Sequence, residues 1–136
     1  MIVLDSSFLI ASHNSRDAHH EAAAEIMARF LDGEWGRGLL LEYVFLEVAT
    51  VLMARRGPEV ASRVTDVLLG ARELEFVPCS DLFVDAVERF KLQTATRLSL
   101  VDVTIANVAI ERAGGLVATF DRELASVRGI QAIPAS

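Results

Sequence analysis

The chain has a single cysteine, Cys79, a single lysine, Lys91, three prolines and one tryptophan in 136 residues. One cysteine cannot pair within the chain, which excludes a disulfide scaffold and leads us to expect a reducing, cytoplasmic setting. No uncharged apolar run approaches the ~18–20 residues of a membrane span, so no membrane partner is expected. The opening Met1-Ile2-Val3-Leu4-Asp5 lacks the basic start of a secretory leader and reads as a strand instead. Positive charge is also scarce: 13 Lys and Arg stand against 19 Asp and Glu, a net charge of −6. That balance excludes a nucleic-acid binder working by bulk charge, though not an enzyme that meets nucleic acid through a bound cation. The near absence of lysine makes the basic set almost wholly arginine. Arginine forks suit phosphate, but a GC-rich genome yields the same bias.

Hydrophobic residues are plentiful, at 52%. With that share, disorder and coiled coil are excluded, and the length fits one domain over residues 1–136. Apolar runs alternate with helical periodicities. Strands are expected at Met1–Leu4, Gly38–Leu41, Glu75–Cys79, Leu116–Ala118 and Ile130–Ile133. Helices are expected at Ser6–Ser12, Asp17–Leu31, Glu42–Arg56, Pro58 to about Arg72, Ser80–Gln93 with Ser80 as N-cap, and Ser99 to about Ala113, with a short turn at Asp121–Val127. The Glu42–Arg56 helix is apolar almost all round. Ser99-Leu100-Val101-Asp102 fits a capping box. Strands separated by helices require crossovers, so the expected architecture is an α/β/α sandwich on a short, mostly parallel sheet of four or five strands. In such sheets ligands gather at the carboxyl ends of the strands.

The placement of the acids carries more information than their number. Asp5 is the only charge among the first fifteen residues, Glu47 the only one between Tyr43 and Ala54, and Asp102 the only one between Arg97 and Glu111. Asp121 follows the apolar run Leu116–Phe120. Each acid sits in sequence that reads as core, where an unpaired carboxylate costs several kcal/mol or more. Singly, Asp5, Asp102 and Asp121 are accounted for as helix caps or turn residues. Glu47 is not: it lies mid-helix with no basic residue at i±3 or i±4. Glu42, in the first turn of the same helix, is expected in solvent. Asp5, Glu47, Asp102 and Asp121 can all reach the carboxyl edge of a parallel sheet. Four carboxylates meeting there repel one another unless a cation intervenes. All-oxygen ligands select Mg²⁺ or Mn²⁺. His13, His19 and His20 read as surface residues, which leaves zinc without ligands. Such acid clusters work on phosphate, by attack of water on phosphorus and departure of the 3′ oxygen.

Val3-Leu4-Asp5-Ser6-Ser7, the isolated Glu47, Leu98-Ser99-Leu100-Val101-Asp102 and Thr119-Phe120-Asp121 resemble the PIN domain in order and spacing, over essentially the whole chain. The compact length resembles VapC-type toxins of toxin–antitoxin pairs. The resemblance implies a Mg²⁺- or Mn²⁺-dependent ribonuclease with Asp5, Glu47, Asp102 and Asp121 as the acidic, metal-holding site. It also implies polar support from Ser7 and Thr119, and a further acid at Glu123. Partners implied by it are an RNA substrate, a small antitoxin protein and a second copy of the chain. For phosphate contact the sequence offers Arg97 and Arg122, near Asp102 and Asp121. Arg55, Arg56 and Arg63 flank the Gly57-Pro58 corner and are also offered for RNA, though Arg55 and Arg56 read more simply as complements to a helix C-terminus.

Two other readings stand beside this one. A receiver-like phosphoacceptor domain also combines an α/β fold, acids and Mg²⁺. It needs a late lysine, whereas Lys91 lies upstream of Asp102, and Asp5 has no acidic neighbour. A non-catalytic interaction protein on a PIN-like fold would retain the acids without using them. Within the nuclease reading itself, a housekeeping or DNA-directed enzyme would use the same acids.

Overall fold

Ile2, Val3 and Leu4 are almost wholly buried and form β1 (Ile2–Leu4), the middle strand of the sheet. The computed structural model describes residues 1–135. After β1 come α1 (Ser6–His13), α2 (His20–Leu31), β2 (Gly38–Leu41), α3 (Glu42–Arg56) and α4 (Pro58–Gly70). The chain continues through β3 (Leu74–Val77), a 3₁₀ turn at Ser80–Leu82, α5 (Phe83–Lys91), α6 (Leu100–Arg112), β4 (Leu116–Ala118), α7 (Arg122–Ala125) and β5 (Gln131–Ile133). All strand pairings are parallel, in the order β3-β2-β1-β4-β5. The expected α/β/α architecture is thus present, with five strands. Uniformly apolar β1 and β2 fit a sheet covered on both faces.

The strand order positions the site. From β1 the chain steps outward to β2 and β3, then returns and steps the other way through β4 and β5. The direction reverses between β1 and β4, and there the connections leave opposite faces and open a crevice. One shared crossover hand puts α1–α4 on one face and α5–α6 on the other. Packing agrees: α1 lies on α2 and α3, α3 on α4, and α5 on α6, while α6 also touches β1 and β4.

Several local expectations are corrected. The helix expected from Asp17 begins at His20, because the Asp17 carboxylate accepts the His19 N–H at 2.8 Å and holds a turn there. Ser80 caps no helix. The Leu82 N–H donates to the Cys79 carbonyl, a 3₁₀ bond, and α5 starts at Phe83 without a side-chain cap. α3 is not buried all round: Val44, Val48 and Leu52 face the core, while Leu46 and Met53 are exposed. Glu42 is not simply solvated, since its Oε1 accepts the Cys79 N–H at 3.0 Å and ties the start of α3 to the end of β3. The capping box at α6 is present, with Ser99 Oγ accepting from Asp102 N and Asp102 Oδ2 accepting from Ser99 N.

Gly115 sets the entry to β4. Its φ is +84°, and a Cβ there would lie 1.9 Å from the Gly129 carbonyl oxygen. Its own carbonyl accepts the Gln131 N–H at 2.8 Å and fixes β5 beside β4. Gly115→Ala should therefore lower the unfolding free energy by more than about 2 kcal/mol, from left-handed strain plus a backbone clash. Gly114→Ala, with φ +59° but open space around it, should cost about 1–2 kcal/mol from conformation alone. Urea melts of the two variants check the difference; equal losses would mean that the Gly115–Gly129 approach is not a fixed feature.

Candidate active site

Asp5 directly follows β1 and is 4% exposed. It stands at the N-cap position of α1 yet makes no capping bond. Its Oδ2 instead accepts from Ser7 Oγ at 2.7 Å and from Thr119 Oγ1 at 2.6 Å. The two hydroxyls are 3.2 Å apart. They also receive backbone donors, Phe120 N–H at Ser7 Oγ and Asp121 N–H at Thr119 Oγ1, each at 3.0 Å. The end of β1 and the end of β4 are thereby laced together at the crevice. Ser7 and Thr119, expected as polar support, are the two side chains that donate to Asp5 Oδ2.

Asp121 caps α7, with Oδ1 accepting from the backbones of Glu123 and Leu124. Asp102 is held by the capping box through Oδ2. Each cap engages one carboxylate oxygen and fixes the direction of the other. The cap explanation and the site explanation of these two residues are therefore compatible. Glu123 contributes its backbone N–H to Asp121; its side chain is exposed and does not line the cleft.

Asp5, Ser7, Glu47, Ser99, Asp102 and Asp121 share one cleft of about 340 Å³. Burial raises the Asp102 carboxyl above the usual carboxylate range, and the charges of Asp121 and Asp5 push the same way against its hydrogen bonds to Ser99. The three acids thus repel one another within the cleft. Contrary to the core-like sequence around them, Asp102 and Asp121 are half-buried and Glu47 is exposed. Glu47 stands on α3 between the inward-facing Val44 and Val48, so the chain places it on the cleft wall and not within the core. No hydrogen bond or ion pair engages it among the described residues. Among those residues no three His, Cys, Asp or Glu side chains are close enough to form a ready-made metal cage. The donor set is nevertheless all oxygen and mutually repelling, which suits a hard divalent cation.

Three further titratable or charged residues line the cleft that the sequence did not assign to it: Asp17, His19 and Arg55. Arg55 was assigned to a helix C-terminus, and its position there is what carries it to the cleft mouth. Arg56 turns away and donates to Asn14 Oδ1 at 2.8 Å. Arg97, expected near phosphate, is exposed and does not line the cleft. Arg122 lines a smaller adjoining cavity. Of the histidines, only His19 is exposed. His20 Nδ1 lies 2.7 Å from the Ala11 carbonyl oxygen, and His13 is half-buried, its pKa lowered by burial and by the nearby Arg63 and His20.

No curated protein matches the sequence. The fold is similar to that of Mycobacterium tuberculosis VapC20, a sarcin-ricin-loop-cleaving toxin, with a TM-score of 0.85 at 23% identity over 96% of this chain and 97% of that one. It is also similar to PAE2754 from Pyrobaculum aerophilum, with a TM-score of 0.57 at 25% identity over 98% of this chain and 83% of that one. The PIN domain model matches residues 2–130, which include every acid of the cleft, and on that match the chain belongs to the PIN domain family.

Proposed function

We propose that the chain is a Mg²⁺- or Mn²⁺-dependent endoribonuclease and the toxin of a VapBC-type toxin–antitoxin pair. The observation carrying this reading is the convergence of Asp5, Glu47, Asp102 and Asp121 on one cleft where the sheet reverses direction. Family membership supports nuclease chemistry. The likeness to VapC20 supports RNA as substrate and a toxin role.

Asp5, Asp102 and Asp121, joined by Glu47, would hold the ion. When bound, such an ion lets water attack phosphorus near neutral pH and offsets charge on the phosphodiester. The chain's own contribution is orientation. Ser7 and Thr119 hold Asp5 by hydrogen bonds, and the two helix caps aim the remaining oxygens of Asp102 and Asp121. Arg55 offers the cleft a guanidinium for a phosphate flanking the cut. No histidine is needed as base, so the products would carry a 5′-phosphate and a 3′-hydroxyl. The partners are an antitoxin and a second copy of the chain, for which Phe83, Val84, Phe90 and Leu92 on and just after α5 offer exposed apolar surface.

RNA cleavage with Mn²⁺ or Mg²⁺ should be abolished by EDTA and slowed at least about a hundredfold by Asp5→Asn. A 2′,3′-cyclic phosphate product would overturn the water-attack route. Arg55→Glu should raise KM and change the salt dependence of cleavage, whereas Arg97→Glu should leave both unaltered; the reverse pattern would relocate the phosphate path. In EDTA, Asp102→Asn should melt above the parent protein at neutral pH, because it keeps the cap and removes a repelled charge. A carboxyl whose folded pKa is raised destabilises the fold above that pKa and not below its unfolded value. The gain should therefore vanish on acidification through the range in which Asp102 is protonated. If this stabilisation appears while no cleavage occurs with either ion, the chain is a non-catalytic interaction protein.

A further inference from the structure

The rings of His19 and Phe120 stack face to face, with centroids 4.5 Å apart and planes 8° from parallel. His19 is exposed and Phe120 half-buried, so the pair stands at the surface and not in the core. Its position is specific. His19 lines the acidic cleft and also a smaller cavity of about 140 Å³, whose wall includes Phe120, Asp121 and Arg122. His19, backed by Phe120, therefore stands as the ridge between the two.

Both rings sit on fixed backbone. The Phe120 N–H donates to Ser7 Oγ, and the next N–H, that of Asp121, donates to Thr119 Oγ1. Those are the two hydroxyls that hold Asp5. The aromatic ring and the acidic site are thus positioned by one hydrogen-bond network. On the other side, the His19 N–H is held by Asp17, and its carbonyl accepts the Ala23 N–H at 2.9 Å.

A chain of net charge −6 with one lysine has little electrostatic hold on RNA. Stacking supplies affinity that needs no positive charge and tolerates any base, since every base has a flat apolar face. Single-stranded RNA is commonly held in this way, on aromatic rings and histidines.

We propose that the stacked His19–Phe120 pair is a ledge for one unpaired base of an RNA whose scissile phosphodiester lies at the Asp5 cleft, with Arg122 meeting a phosphate on the far side. This rests on the ribonuclease reading and adds where the strand leaves the cleft. His19 acts here through the face of its ring and not by proton transfer.

The test uses fluorescein-labelled 12-nucleotide single-stranded RNAs, one intact and the others each with a single abasic residue. In the parent protein, one abasic position beside the cut should raise KM roughly 5- to 100-fold, with a smaller effect on kcat. His19→Ala should raise KM on intact RNA by a similar factor and should lose the sensitivity to that abasic position. His19→Phe should restore both. Phe120→Leu should resemble His19→Ala. His19 is exposed, so an unchanged melting temperature for His19→Ala keeps the comparison free of misfolding. An abasic profile that His19→Ala leaves untouched would overturn the ledge. A His19→Phe variant as defective as His19→Ala would also overturn it, because the ring's proton chemistry would then matter. Anisotropy binding of the same RNAs reads the ledge without cleavage. Base-dependent binding without cleavage under Mg²⁺ or Mn²⁺ would sink the nuclease reading alone, and cleavage without base dependence would sink the ledge alone.

Discussion

Asp5 is buried beside two other carboxylates, and what makes that tolerable is a pair of hydroxyls, one from the first turn of α1 and one from the end of β4. Ser7, in the first turn of α1, and Thr119, the residue after β4, both donate to the same oxygen. A buried carboxylate without such donors costs several kcal/mol. Because both hydroxyls also accept backbone N–H groups, the Phe120-Asp121 segment is held against Asp5. The cleft therefore depends on a parallel β1–β4 pairing in the correct register, Val3 beside Val117 and Leu4 beside Ala118. A one-residue slip would move Thr119 to the opposite face and leave Asp5 unsupported.

The remaining acids reach the cleft by less costly means. Asp102 and Asp121 are helix-cap residues, and a cap already stabilises a carboxylate through backbone N–H groups. Glu47 stays in solvent. Only one of the four charges is fully desolvated, which limits the stability given up for chemistry. The raised pKa of Asp102 marks the repulsion that remains, with burial as the first cause and the charges of Asp121 and Asp5 after it. Asp5, Asp102 and Asp121 therefore stand under mutual repulsion within the cleft.

The acidic cleft and the stacked rings share a support. Ser7 and Thr119 position Asp5 directly and Phe120 through the backbone. In a chain whose acids outnumber its basic residues, flat ring surface beside the cleft offers a base contact that does not depend on net charge. Arg55 and Arg122 mark the two sides of that ridge.

Strand and helix order, the Ser99–Asp102 capping box and the four isolated acids were legible in the residues, because apolar periodicity, caps and lone charges are local signals. The switch point followed from the expected architecture only as a rule about sheet edges. The position of Glu47 did not: an apolar helix reads as buried on every side until the packing of Val44, Val48 and Leu52 decides which face is inward. Arg55, Asp17 and His19 carry no signal of the cleft in the sequence, since nothing local tells a helix-end arginine or an exposed histidine what lies across from it. Arg97 shows the converse, near Asp102 along the chain yet outside the cleft. Amino-acid order alone determined the class of fold and which acids stand apart. Tertiary structure decided which oxygens are engaged, which are left to a ligand and which rings meet, because those depend on contacts between residues more than a hundred positions apart, as with Asp5 and Thr119.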